Sequence, residues 1–172
     1  MHRNPNYSFC PQCGGQMTHK LLKKGEPKRL VCSACEFVFY LDPKVAACVI
    51  TEVENKIVIL KRAIPPEIGK WVIPGGFVDV GETVPAAAAR ETLEEVRLHV
   101  EIGPLVGVYS YPDTPVVVIV YEAQVINGVV GAADEALEVD LVAPSEIPWE
   151  RLAFTSTRQA LRDYLRRHYP EV

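Results

Sequence analysis

Two sets of residues in this 172-residue chain have types and spacings suited to chemistry. The first runs from Gly75-Gly76 through Glu82 to Arg90-Glu91-Thr92-Leu93-Glu94-Glu95. Glu91 and Glu95 are four apart and Glu91 and Glu94 three apart, so on a helix their carboxylates share one side. Like charges so close repel, and a cation must answer them. Arg90 answers one, which leaves an excess of hard oxygen ligands of the kind that suits Mg2+ or Mn2+. An isolated E-x-x-E-E is more often a solvated helix face. With each fixed residue type at roughly 6–7% of positions, however, the whole pattern from Gly76 to Glu95 would arise by chance about once in 100,000 such chains. That favours the ligand reading.

The second set is Cys10-Pro11-Gln12-Cys13 and Cys32-Ser33-Ala34-Cys35. Each C-x-x-C lets two thiolates reach one metal, and two such knuckles close a tetrahedral Zn2+ site. Four protein ligands leave no position for a substrate, so this zinc is structural, and it supplies folding energy that so small a ribbon lacks. Two disulfides are the rival reading, disfavoured in a chain without secretory features. A redox role is weaker still, because neither knuckle opens a helix of thioredoxin type. Cys48, the fifth cysteine, reads as a small buried apolar residue.

These groups must be positioned by a fold. Composition, 48% hydrophobic and 23% charged, fits one globular domain with a small appendage. No apolar run approaches the length of a membrane span, and Met1-His2-Arg3-Asn4-Pro5 lacks the apolar stretch of a signal peptide, so the expectation is a cytoplasmic protein. Residues 1–44 hold seven Lys/Arg against three Asp/Glu, while residues 45–172 hold eleven against nineteen. The charge break coincides with the expected division into a ribbon, 1–44, and a second domain, 45–172. The ribbon's Lys20, Lys23, Lys24, Lys28 and Arg29 could touch nucleic acid, but no stacking aromatics lie between the charges, which makes nucleic acid the weaker reading.

Strands are expected over Val45–Thr51 and Lys56–Arg62, with a short one at Trp71-Val72-Ile73. A helix should follow Thr83 as N-cap, with Pro85 in its first turn. Apolar runs at 100–111 and 116–126 read as further strands, and the β-branched Val116–Val120 as one buried on both faces. Asn127–Ala136 is a Gly-rich loop carrying Asp134 and Glu135, with Glu138 beyond. Ser156 and Gln159 offer a capping box for a last helix, in which Leu161, Tyr164, Leu165 and His168 recur at helical spacing and His168 reads as a helix-end residue and not a ligand. Lys61 and Arg62, at a strand end, could meet phosphates. Tyr109 or Tyr111 could stack on a nucleobase.

The spacing from Gly76 to Glu95 resembles the Nudix box, the signature of hydrolases that cleave a nucleoside diphosphate linked to another group. Thr92 stands where the family has an aliphatic, and Arg97 where it has the glycine that ends the helix. The Tyr40-x-x-Pro43-Lys44 junction and the tail Glu146-Ile147-Pro148-Trp149-x-x-Leu152-Ala153-Phe154 are similar to zinc-ribbon members of the ADP-ribose and FAD diphosphatase type. The resemblance implies an α/β/α sandwich with a mixed sheet, preceded by the zinc ribbon, and homodimers are frequent among such relatives. It implies metal ligation by the Gly75 carbonyl, Glu91 and Glu95, with help from Glu94, while Glu82 and Arg90 hold the set in place. A further acidic residue, Glu135 or in reserve Glu138, would serve as base or extra ligand. The implied reaction is Mg2+- or Mn2+-dependent hydrolysis of a pyrophosphate bond in ADP-ribose, FAD or a similar dinucleotide, releasing a nucleoside monophosphate. A catalytically silent nucleotide sensor and an RNA-associated protein docking through the ribbon are the alternatives.

Overall fold

A computed structural model describes residues 7–133 and 135–171, so residues 1–6, Asp134 and Val172 lie outside the described residues. The chain forms two compact units, Met1–Pro43 and Lys44–Val172.

The first unit is a three-stranded antiparallel sheet in the order β1 (Met17–Lys20), β2 (Arg29–Cys32), β3 (Val38–Phe39). Its core is small, Cys10, Met17, Leu30 and Cys32 with Phe37 and Phe39 packed against them. One cysteine of each knuckle belongs to this core, while Cys13 and Cys35 are exposed. Gly15 is required at its position because a Cβ there would lie 2.8 Å from Ala34 Cβ and 2.9 Å from Cys32 Sγ.

The second unit is built on a seven-stranded mixed sheet. Its main path runs β10 (Ala136–Val142), β5 (Lys56–Arg62), β4 (Lys44–Val53), β9 (Val116–Gly128), β8 (Leu98–Ser110), with β6 (Trp71–Val72) on β5 and β7 (Gly75–Phe77) on β4. Only the β4–β9 pair is parallel; the other pairs are antiparallel. Helix α1 (Val84–Val96) lays Ala87 and Ala88 against Ala47 and Val49 of β4. Small residues there let the helix approach the sheet closely. Helix α2 (Thr155–His168) covers the other face, where Ala160, Leu161, Tyr164 and Leu165 join Ile50, Ile57, Ile59 and Val120. Each fully buried Leu or Ile of this face contributes about 1.5–3 kcal/mol. The result is the α/β/α sandwich. Among the described residues no helix is long and apolar enough to cross a membrane.

Three local expectations are corrected. Residues 116–119 are half-buried and, of this run, only Val120 is fully enclosed. Strand β9 continues to Gly128, so Asn127 and Gly128 belong to the sheet and not to the loop. The capping box does not form: α2 starts after Phe154 with no side-chain cap, Ser156 is buried in the first turn, and Gln159 Nε2 donates to Asp163.

Candidate active site and cysteine cluster

Helix α1 starts as its sequence dictates. Thr83 Oγ1 accepts from the Ala86 amide at 3.4 Å, and Pro85 occupies the first turn, where its missing N–H costs nothing. Thr92, at the family's aliphatic position, is buried, and its hydroxyl donates to the Ala88 carbonyl at 2.7 Å, so the polar atom is satisfied within the helix. The helix ends at Val96. Arg97 caps it in the left-handed conformation, φ 61°, with its amide on the Leu93 carbonyl. The usual glycine is therefore replaced without loss of the turn, at a steric cost of about 1–2 kcal/mol.

Arg90 organises the carboxylates. Its Nε and Nη2 form a fork on Glu82, both at 3.0 Å, and Nη2 also reaches the Phe77 carbonyl at 3.1 Å. Its Nη1 donates to Glu91 at 2.8 Å and to Glu94 at 2.9 Å. This hydrogen bonding lowers the Glu82 carboxyl below its ordinary value. Glu95 lies on the sheet side of the helix, 6% exposed, and accepts from the Gly75 amide at 2.8 Å. Burial pushes its carboxyl up to about 8, and the charges of Glu91 and Glu135 add to that effect against the pull of the Gly75 amide and Arg62. Burial likewise raises Glu91.

A divalent cation fits this donor set. Hard oxygens dominate it, and the buried Glu95 carboxylate has an amide but no cation paired with it among the described residues. The carboxylates are held apart, since Arg90 takes Glu91 and Glu94 while Glu95 turns to Gly75. It is the amide of Gly75 that meets Glu95. Cys48, opposite Gly75 in the β4–β7 pair, has its thiol pushed up to about 12 by burial and by the Glu95 and Glu91 charges, so it packs as a neutral residue.

Outside the box the two acidic candidates separate. Glu138 is engaged by Lys61 Nζ at 3.1 Å across the β10–β5 pair. That salt bridge also occupies Lys61, which the sequence offered to phosphates. Glu135 is exposed, and its charge acts on both Glu91 and Glu95. Arg62 spends Nε and Nη2 on the carbonyls of Pro66, Ile64 and Pro65, and Nη1 alone is without a protein partner among the described residues. Tyr109 is 7% exposed in the core under α2, with its hydroxyl on Asp163 at 2.9 Å; that packing leaves no ring face open for a base. Tyr111 is half-buried beside the same core. His168, exposed at the end of α2, lies 3.1 Å from Glu122. Composition gave no signal for the link between the Gly75 amide and Glu95, because it joins residues twenty positions apart.

In the first unit, the Cys10, Cys13, Cys32 and Cys35 sulfurs all lie within 4.8 Å of one another. Amides of Cys35 and Ala34 point at Cys32 Sγ and lower that thiol, while the neighbouring Cys13 thiol and burial raise Cys35, so the cluster shares its protons when no metal is bound.

Residues 41–165 match the NUDIX domain model, and residues 8–41 match the Nudix N-terminal model. The chain belongs to the Nudix family. It is 37% identical to the ADP-ribose pyrophosphatase of Methanocaldococcus jannaschii over 89% of this chain and 87% of that protein. A Nudix hydrolase crystal structure from Nitrosomonas europaea superposes with a TM-score of 0.87 at 38% identity, covering 95% of this chain and 94% of that one. The NAD-capped RNA hydrolase NudC of Vibrio cholerae is 34% identical, but over only 56% of this chain and 34% of that protein. The N-terminal match and the cysteine cluster together make the first unit a Nudix zinc ribbon.

Proposed function

We propose that this Nudix protein hydrolyses the pyrophosphate bond of ADP-ribose or a closely similar nucleoside diphosphate derivative, releasing a nucleoside monophosphate. The observation that carries this reading is the carboxylate set of α1, held by Arg90 on one side and by the Gly75 amide on the other. The M. jannaschii relative supports ADP-ribose within the substrate class. A sensor would have no need of so complete an acidic site.

Glu91 and Glu95, with Glu94, would hold Mg2+ or Mn2+, and the Gly75 carbonyl remains a candidate ligand. A divalent ion bound there offsets charge on the phosphate oxygens. Arg90 and Glu82 orient the glutamates by charge-assisted hydrogen bonds. Glu135 takes a proton from the attacking water as its oxygen bonds to phosphorus, and the anhydride P–O bond breaks with the second phosphate leaving. Glu138 is set aside because Lys61 holds it. Tyr111 is the remaining substrate contact of this reading, since the Arg62 guanidinium is spent on the carbonyls of its own loop. Cys10, Cys13, Cys32 and Cys35 would bind one structural Zn2+. The domain limits 1–44 and 45–172, a cytoplasmic location and a homodimer complete the reading, the last on family resemblance.

A substrate panel tests it. ADP-ribose, FAD, NADH and nucleoside triphosphates would be incubated with Mg2+ or Mn2+, and the products separated by chromatography, with Glu95→Gln as control. AMP released from ADP-ribose by the wild type and lost in Glu95→Gln supports the proposal. Nucleotide binding with no turnover of any compound would refute it in favour of a sensor.

A further inference from the structure

We propose that Arg62 is a positioning residue for Glu135, acting through the loop that joins β5 to β6. The inference rests on the reading of Glu135 given above and extends it to a residue that assignment does not contain.

Glu135 is exposed and sits among like charges, so something other than its own side chain must keep it beside Glu91 and Glu95. Three backbone hydrogen bonds do so. The Ala63 amide donates to the Glu135 carbonyl at 3.0 Å, the Ala133 amide to the Glu95 carbonyl at 3.2 Å, and the Ala136 amide to the Ala133 carbonyl at 2.8 Å. Of these, only the first comes from the β5 side. Its donor immediately follows Arg62, which itself faces Ala136 at the end of the β10–β5 pair, next to an irregularity in register.

Arg62 fixes where that amide points. The residues after Ala63 are Ile64-Pro65-Pro66, and two prolines in succession offer no amide to close a turn. Their carbonyls need donors from elsewhere, and the guanidinium supplies them: Nε to Pro66 at 2.8 Å, Nη2 to Ile64 and Pro65 at 3.4 Å each. The Arg62 backbone closes the same loop, accepting from the Gly69 amide at 2.9 Å and donating to the Lys70 carbonyl at 3.0 Å. Phe154 lies 5.1 Å from Arg62 Cζ and restricts the plane of the fork. A planar donor with several N–H groups can bridge three carbonyls at once; a lysine ammonium on a flexible stem cannot hold the same geometry.

Arg62→Ala, Arg62→Lys, Glu135→Gln and Arg62→Ala/Glu135→Gln would be compared with wild type on ADP-ribose, with hydrogen exchange followed at the Ala63 amide. Arg62→Ala should lower kcat about 10- to 100-fold, a part of the roughly 100- to 10,000-fold that a well-placed general base supplies, and leave KM within about twofold. The double variant should be no slower than Glu135→Gln alone, because the two residues act in series. Arg62→Lys should fall between wild type and Arg62→Ala, and Ala63 exchange should accelerate in both. A loss confined to KM would mean that Nη1 grips the substrate directly, and losses that multiply in the double variant would mean independent roles; either overturns the proposal. Unchanged Ala63 exchange in Arg62→Ala overturns it without reference to activity. A fully active Glu135→Gln with faster Ala63 exchange in Arg62→Ala would remove the catalytic reading of Glu135, and the catalytic consequence with it, while leaving the loop contact in place.

Discussion

A Cβ on Gly76 would fall 2.5 Å from both carboxylate oxygens of Glu91. The glycine is therefore the space into which Glu91 projects, and the strand β7 and helix α1 can approach only because that side chain is absent. Gly76→Ala should keep the fold, since the obstruction is the end of a movable side chain. It should raise the Mg2+ concentration needed for half-maximal activity and lower kcat by at least about tenfold. Metal titrations of the variant check this; an unchanged metal dependence would separate Gly76 from Glu91.

Glu95 gives a stability profile of defined sign. Its folded carboxyl titrates at about 8 because of burial, well above the ordinary value of about 4.3. The folded state therefore holds the proton more tightly, and stability from this group, full below about pH 4.3, is lost as pH rises through about 8. Without added Mg2+, the wild type should lose more Tm than Glu95→Gln between about pH 5 and pH 8. Added Mg2+ should restore more at the upper pH, since binding needs the carboxylate. Parallel melting curves for the two proteins would contradict this.

Arg97 holds a left-handed φ of 61° at the end of α1. Arg97→Gly should stabilise the protein by up to about 1 kcal/mol, because glycine adopts that conformation without the Cβ contact. Denaturant unfolding measures it, with the metal dependence of activity unchanged.

Tyr109 is a packing residue whose hydroxyl serves α2 through Asp163. Tyr109→Phe should cost about 1–3 kcal/mol, the penalty for leaving a partly buried acceptor short of a partner, and leave KM for ADP-ribose unaltered. A rise in KM without loss of stability would return the residue to the substrate.

The ribbon should bind about one zinc per chain. Zinc content should fall close to zero in Cys32→Ser and stay at the wild-type level in Cys48→Ser, as metal analysis of the purified proteins would show.

The sequence alone determined the features that depend on local spacing. The spacing of three and four put Glu91, Glu94 and Glu95 on one helix, and Thr83 and Pro85 started it, because those relations lie within a few residues; the paired C-x-x-C knuckles marked one cluster by their ligand type. That Arg90 takes Glu91 and Glu94 while Glu95 turns to Gly75 was not in the spacing. Alternation and β-branching were enough to locate the main strands. What only the tertiary structure decided are relations across the sheet. The β10–β5 register hands Glu138 to Lys61, which is why the proposed base is Glu135. Tyr109 was assigned to the core by the packing of α2, whose Asp163 lies 54 positions away. Arg62 turned from phosphates to its own loop because consecutive prolines left carbonyls without donors. A side chain's type states what it can bind; which of its possible partners it meets depends on contacts that no local pattern encodes.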